Sequence, residues 1–282
     1  MSILIDGRKT SGIIKDELRD QVMDLKKQGI EPTLAVVLVG EDPASQVYVK
    51  HKKKACEYVG VRSLSYELPA ETTEEELLEL IATLNGRDDV HGILVQLPLP
   101  KQINEEKVLL AIDPIKDVDG FHPISVGNLS IGRDGFVSCT PAGIIELLKR
   151  YDIPIQGQNC VVIGRSNIVG KPVSMLLLRE SGTVTICHSK TRDLPGVCKK
   201  ADILVVAIGR PNFVTKDFVK EGATIIDVGM NRLENGKLCG DVAYDECAEI
   251  AGAITPVPRG VGPMTIAMLM KNCVEAASKS LS

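Results

Sequence analysis

Short, uninterrupted runs of aliphatic and β-branched residues recur along this chain, each followed by a stretch of helical character. That alternation constrains the fold more than any other feature. Residues 34–39 (LAVVLV) read as a buried strand. A helix from about 44 to 58, a strand near 61–68, a helix near 73–85 and a strand at 91–97 (HGILVQL) follow. A second series begins at Asn159, with strands at 160–163 (CVVI), 183–187 (TVTIC), 203–208 (ILVVAI) and 224–228 (TIIDV), and a helix at 170–181. Runs without polar alternation belong to strands covered on both faces, as in the parallel sheets of α/β proteins. The expected architecture is therefore α/β in two lobes, each with a parallel sheet, and a cleft between them. The segment 113–141, rich in Gly, Pro and Asp, suits a hinge and cleft wall. The amphipathic segment 265–279 suits a helix returning to the first half.

Composition then removes whole classes of function. The 282 residues are 44% hydrophobic and 25% charged, the balance of a globular protein with ample core. Net charge is −4 and the one dense basic run, 50–54 (KHKKK), is too small for a nucleic-acid surface. Aromatic residues are only 3% and Trp is absent, so no stacking platform for single strands is expected. No apolar stretch approaches the ~20 residues of a membrane span. The opening MSILIDGRKTSG lacks the basic and apolar regions of a secretory signal. Eight cysteines without a C-x-x-C spacing, and only four histidines, argue against a zinc site. They fit reduced thiols in a cytoplasmic protein.

Residues 163–172 (IGRSNIVGKP) stand where a strand ends and a helix begins. Glycines there permit a tight turn and a close backbone approach to phosphate, and a helix N-terminus attracts the anion. The spacing departs from G-x-G-x-x-G: Ser166 occupies the second glycine position and Gly170 arrives one residue late. Pro172, where a magnesium-binding hydroxyl would stand, excludes a P-loop. A plain strand–helix turn is the alternative. Yet 25 residues after Gly164 the next strand ends in His188-Ser189-Lys190, with Arg192 following and no acid before Asp193. An NAD site places an acid there for the ribose 2′-hydroxyl. Donors and cations, with Arg165 in the first loop, point to a 2′-phosphate and hence to NADP, although Lys190 and Arg192 could equally be solvated surface charges.

In the first lobe, Tyr48 and Lys52 lie four residues apart on an expected helix and so share a face. A phenol beside an amine can position and move protons. Lys50, Lys53 and Lys54 flank the pair, however, and an exposed basic face is the plainer reading. Gln96 ends the run GILVQ and so sits at the C-terminal end of a parallel strand, the edge where open α/β sheets bind ligands. Asp117-Val118-Asp119-Gly120 offers carboxylates on a loop; two acids without further ligands make a poor metal site, and none is expected. Residues 255–265 (TPVPRGVGPMT) read either as a rigid surface loop or as a shaped wall against a flat ligand.

The strings SQVYVKHKKKACEYVG, GILVQLPLP, KDVDGFHP, GRSNIVGKP, TVTICHSKT, IIDVGMNR and TPVPRGVGPMT, in that order, resemble the bifunctional methylenetetrahydrofolate dehydrogenase/methenyltetrahydrofolate cyclohydrolase family over essentially the whole chain. The resemblance implies a catalytic, folate-binding domain from 1–120 plus 264–282 and a Rossmann-like NADP domain at 140–255, with 121–139 and 256–263 as cleft and hinge segments. It implies NADP-dependent oxidation of 5,10-methylenetetrahydrofolate to the methenyl cation, then hydrolysis to 10-formyltetrahydrofolate, in one-carbon metabolism. Lys52 would be the central catalytic residue, Tyr48 would stack near the folate, Gln96 would tune the lysine and Asp119 would hold the pterin's amino edge. Gly164, Arg165, Ser166, Gly170 and Ser189 would hold the dinucleotide, Met230 would line its site, and Gly262 and Pro263 would close over folate. Partners would be tetrahydrofolate derivatives and a second copy of the chain, a homodimer formed through the cofactor lobe. The alternatives are a dehydrogenase lacking the cyclohydrolase step and a dinucleotide sensor without catalysis.

Three positions depart from the family pattern. Arg259 replaces the first glycine of PVPGGVGPMT, and is expected to reach a glutamate tail or to disturb loop closure. Ser138 replaces a proline, and Ala243 stands where an acid is common; both are expected to lie off the chemistry.

Overall fold

The computed structural model describes residues 2–280. Its first half contains β1 (Ile3–Leu4), α1 (Gly7–Lys27), β2 (Thr33–Val39), α2 (Pro43–Val59), β3 (Arg62–Leu68), α3 (Glu74–Asn85) and β4 (Gly92–Val95). Next come α4 (Glu105–Ala111), α5 (Pro123–Ser130), α6 (Cys139–Arg150), β5 (Asn159–Ile163), α7 (Gly170–Arg179) and β6 (Thr183–Cys187). The remainder is α8 (Leu194–Cys198), β7 (Ile203–Val206), β8 (Thr224–Asp227), β9 (Asn231–Arg232), β10 (Leu238–Cys239), α9 (Tyr244–Ala248), β11 (Ala253–Ile254) and α10 (Val261–Lys279).

These elements form two units. One takes the N-terminal residues through Ser11 together with Ser138–Thr265; the other takes Gly12–Val137 and the residues from Ile266 onward. The N-terminal strand thus joins the later unit, where β1 pairs in parallel with β11 (Ile3↔Ala253). Residues 121–137, expected as hinge, belong to the earlier unit and hold α5. Local chemistry explains that helix: Pro123 supplies its first turn, and His122 Nδ1 accepts from Ile124 N at 3.1 Å as the cap.

The unit containing Gly12–Val137 is built on a three-stranded parallel sheet in the order β3-β2-β4. Every residue of β2 is buried, as its unbroken aliphatic run requires. Ala35, Val37 and Val39 pack on one side with Leu77, Ile81 and Leu84 of α3. The start of α3 is written locally: Thr73 and Glu76 form a reciprocal capping box, and three glutamates occupy the first turn. Helix α2 starts on Asp42, which accepts from Ser45 N at 2.8 Å, and ends on Gly60 at φ +89°.

The other unit carries a six-stranded sheet, β1-β11-β8-β7-β5-β6, parallel throughout. Its core gathers Val161, Ile163, Leu204, Val206, Ile225 and Ile254. In each sheet one strand has successive strands on opposite sides: β2 lies between β3 and β4, and β5 between β6 and β7. Connections leave such a strand in opposite directions and open a crevice at its C-terminal end, where ligands of doubly wound sheets bind. All eight cysteines are unpaired, seven of them buried and Cys239 partly so. Among the described residues no helix is long and apolar enough to cross a membrane.

Candidate active site

The first crevice is the one between β2 and β4. Helix α2 leaves the end of β2, and its buried positions Ser45, Val49, Lys52, Cys56 and Val59 follow a spacing of four and three. Lys52 therefore sits in the core-facing stripe, 9% exposed, while Lys50, Lys53 and Lys54 face solvent. Its Nζ donates to Gln96 Oε1 at 2.9 Å. Gln96 is the first residue beyond β4; its backbone N donates to Val37 O at 2.8 Å, so the main chain holds it at the sheet's edge. Its side-chain Nε2 donates to Leu97 O at 2.7 Å, which turns the amide oxygen toward the lysine. Tyr48, one turn before Lys52, is 46% exposed.

Among the described residues no carboxylate lies within ion-pair distance of Lys52. A neutral amide oxygen accepts from the amine and so orients it. The basic-face reading of 50–54 thus holds for three of the four lysines and fails for Lys52.

Asp119 follows a loop laid alongside β4: Ile93 and Asp117 form a parallel bridge, and Ile93 N donates to Lys116 O at 2.8 Å. The two carboxylates of that loop have separate roles. Asp117, 2% exposed, accepts from His122 N at 2.8 Å, Ser125 Oγ at 3.0 Å and Phe121 N at 3.3 Å. Burial pushes its carboxyl above the usual range despite those donors. Asp119 is partly exposed and accepts no hydrogen bond among the described residues, so its carboxylate is available to a ligand. Two more side chains brace the loop: Lys116 Nζ donates to Asn85 O at 2.8 Å and Arg87 O at 2.6 Å, and the buried Asn272 Nδ2 to Val118 O at 2.8 Å. The sequence reading missed both, because a partner 30 or 150 residues away leaves no local signal. Among the described residues no three His, Cys, Asp or Glu side chains cluster to hold a metal.

The second crevice lies between β5 and β7. Gly164 has φ +127°, and a Cβ there would stand 2.3 Å from Ala207 O; a Cβ on Gly170 would stand 2.3 Å from Gly164 O. Only glycine permits this approach of three backbone segments, which makes a cradle rather than an ordinary turn. Ser166 Oγ accepts from Val169 N at 3.1 Å and Gly170 N at 3.2 Å, capping the entry to α7 in place of the missing glycine. Arg165 is exposed and forms no ion pair among the described residues. Beyond β6, Ser189 and Lys190 are exposed, and His188 Nδ1 accepts from Lys190 N at 3.1 Å. Asp193, the first acid after them, has its own occupation as the N-cap of α8, accepting from Gly196 N at 3.3 Å. A 2′-phosphate fits this set of donors better than a bare ribose hydroxyl.

Met230, 46% exposed, follows β8, and a Cβ on Gly262 would stand 2.9 Å from its Cε. Gly262 and Pro263 lie in the first turn of α10, which begins four residues earlier than the sequence pattern implies. Arg259 adopts φ +92°, the left-handed conformation that suits the glycine usual there. Its guanidinium pairs with the Asp6 carboxylate, which also accepts from Lys9 N at 3.0 Å. The cation is thus paired within its own unit. Ser138 is buried and donates from Oγ to Ile168 O at 2.7 Å, tying the start of α6 to the loop before α7.

Comparison with known proteins identifies the family and the fold. Family models for the tetrahydrofolate dehydrogenase/cyclohydrolase catalytic domain and NAD(P)-binding domain match residues 5–119 and 138–281. A bifunctional protein FolD of Lachnoclostridium phytofermentans is 68% identical over 279 residues, covering 99% of each chain. The solved bifunctional FolD of Campylobacter jejuni superposes with a TM-score of 0.97 at 52% identity, covering 99% of each chain. The Trypanosoma brucei dehydrogenase-cyclohydrolase, solved with NADP cofactor and an inhibitor, gives a TM-score of 0.94 at 39% identity, over 99% of this chain and 98% of that one.

Proposed function

The chain belongs to the tetrahydrofolate dehydrogenase/cyclohydrolase family, and from that membership we propose how its own residues divide the two reactions. The enzyme oxidises 5,10-methylenetetrahydrofolate with NADP and hydrolyses the methenyl product to 10-formyltetrahydrofolate. NADP, when bound, accepts the hydride that leaves the methylene carbon. Gly164, Ser166 and Gly170 let the backbone approach its phosphates, Arg165 and Ser189 hold the 2′-phosphate, and Met230 lines the site.

Loss of hydride leaves a cation on the folate. A positively charged neighbour ~4 Å away, at an effective dielectric of ~20, would oppose that step by several kcal/mol. Lys52, buried and bonded to Gln96, is assigned the base of the hydrolytic step. It takes a proton from the water that attacks the methenyl carbon; the resulting hydroxyl then becomes the formyl carbonyl as the ring C–N bond breaks, its electron pair and a proton going to the departing nitrogen. Gln96 holds the amine in place, Tyr48 stacks near the folate, and Asp119 accepts paired N–H bonds from the pterin. Gly262 and Pro263 are assigned to the substrate from the family resemblance alone.

The observation that carries this reading is a buried lysine bonded to an amide with no acid beside it. Lys52→Gln and Lys52→Met should lower cyclohydrolase turnover by about a hundredfold or more, measured as decay of the methenyl chromophore above its spontaneous hydrolysis. Full cyclohydrolase activity in either variant would refute the role.

The protein works as a homodimer in the cytoplasm. Eight unpaired thiols suit a reducing compartment. Strand β6 is a free edge of the larger sheet, exposed at Thr183, Thr185 and Ile186, with Leu178 of α7 also exposed. An open edge with apolar side chains is a ready template for pairing with a second copy.

A further inference from the structure

Two buried acids lie beneath the loops that follow β7 and β8, and neither dinucleotide binding nor proton transfer uses them. Asp241, fully buried, accepts from Ile208 N at 2.7 Å, Gly209 N at 2.9 Å, Arg210 N at 2.8 Å and Asn231 Nδ2 at 2.9 Å. Asp227, 3% exposed, accepts from Asp241 N at 2.9 Å, Val242 N at 3.0 Å and Gly229 N at 3.0 Å. Two glycines make room for them. A Cβ on Gly240 would stand 1.7 Å from Asp227 Oδ2, and one on Gly229 would stand 2.3 Å from Asp241 Cγ.

The placement separates this pair from ordinary core polar groups. Residues 208–210 directly follow Ala207, whose carbonyl forms the wall against Gly164. Gly229 and Asn231 flank Met230 on the adjacent loop. Both loops stand at the C-terminal ends of their strands, the edge that carries the cofactor cradle. A single carboxylate fastens three consecutive amides of one loop and a side chain of the next. Its anchor is not a comfortable one: burial outweighs three donors and lifts the Asp227 carboxyl to about 6.

We propose that Asp241, seated on Asp227, is a positioning residue for the dehydrogenase reaction, setting the backbone on which the dinucleotide rests. The inference depends on the dinucleotide site described above and adds a determinant of its shape. The cyclohydrolase step consumes no dinucleotide, so it reports the folding of the same molecule independently.

The test is Asp241→Asn, which keeps the shape but turns an acceptor oxygen into a donor facing amides. Gly229→Ala is made in parallel, because its methyl would displace the same carboxylate. KM for NADP, dehydrogenase kcat and cyclohydrolase turnover without NADP are measured on full-length enzyme. The expected result is a rise of about tenfold or more in the KM for NADP, the size of a lost charge-assisted hydrogen bond, with cyclohydrolase turnover at the wild-type level in at least one variant. An unchanged KM for NADP in both variants overturns the proposal, as does a parallel fall of both activities in both. A wild-type enzyme that reduces no NADP would instead defeat the functional reading itself.

Discussion

Four lysines crowd into the second helix, and their chemistry differs because one side chain points into the core and three point into water. The same contrast separates Asp117, whose oxygens accept from His122 N and Ser125 Oγ, from the partly exposed Asp119, which accepts no hydrogen bond among the described residues. Arg259 shows a third way in which context decides. An L-residue at φ +92° carries strain of about 1–2 kcal/mol, and its half-exposed ion pair with Asp6 returns at most about 1 kcal/mol. Glycine would relieve the strain at an entropic cost of about 0.5–1 kcal/mol. Arg259→Gly is therefore expected to change stability by less than about 1 kcal/mol and to leave cyclohydrolase turnover intact. Urea unfolding read beside the methenyl assay checks this. A loss beyond about 2 kcal/mol would mean that the Asp6 pair holds the loop more firmly than its exposure implies.

At the scale of elements, buried aliphatic strands announce themselves, and helices do so unevenly. The strand at 160–163 emerges as Asn159–Ile163 and the helix at 73–85 as Glu74–Asn85, since capping residues and aliphatic runs are local signals. The sequence reading names no helix at α1, α4, α5, α6, α8 or α9; α4, α5, α8 and α9 span only seven, eight, five and five residues, too few for periodicity to speak. Ala243 belongs to this scale. It is the N-cap of α9 and makes no side-chain cap bond, so the acid common at that position is a missing cap. Ala243→Asp should add about 1 kcal/mol of stability, seen as a thermal midpoint raised by about 2 °C. A lowered midpoint would show that the cap geometry there cannot accept a carboxylate.

At the scale of the molecule, two units each place their candidate site loops where strand order reverses, and the larger sheet ends in an exposed edge. If that edge pairs copies, light scattering should give a dimer mass for the enzyme and a monomer mass for Ile186→Lys, since a charge on an edge strand opposes pairing. A monomeric wild type would sink the assignment. Much of this protein was readable in its sequence: the α/β class, the two series of parallel strands, the family and the glycine turn between β5 and α7. These rest on period, run length, turn chemistry and motif order, all of which are local along the chain. Which lysine is buried, which aspartate is free, where β1 finds its partner and what Asp241 fastens were decided only by the tertiary structure. Burial and hydrogen-bond partnership belong to groups that meet in space. The folded chain brings Lys52 to Gln96 across 44 residues and Asp241 to Ile208 across 33, and no local pattern encodes either meeting.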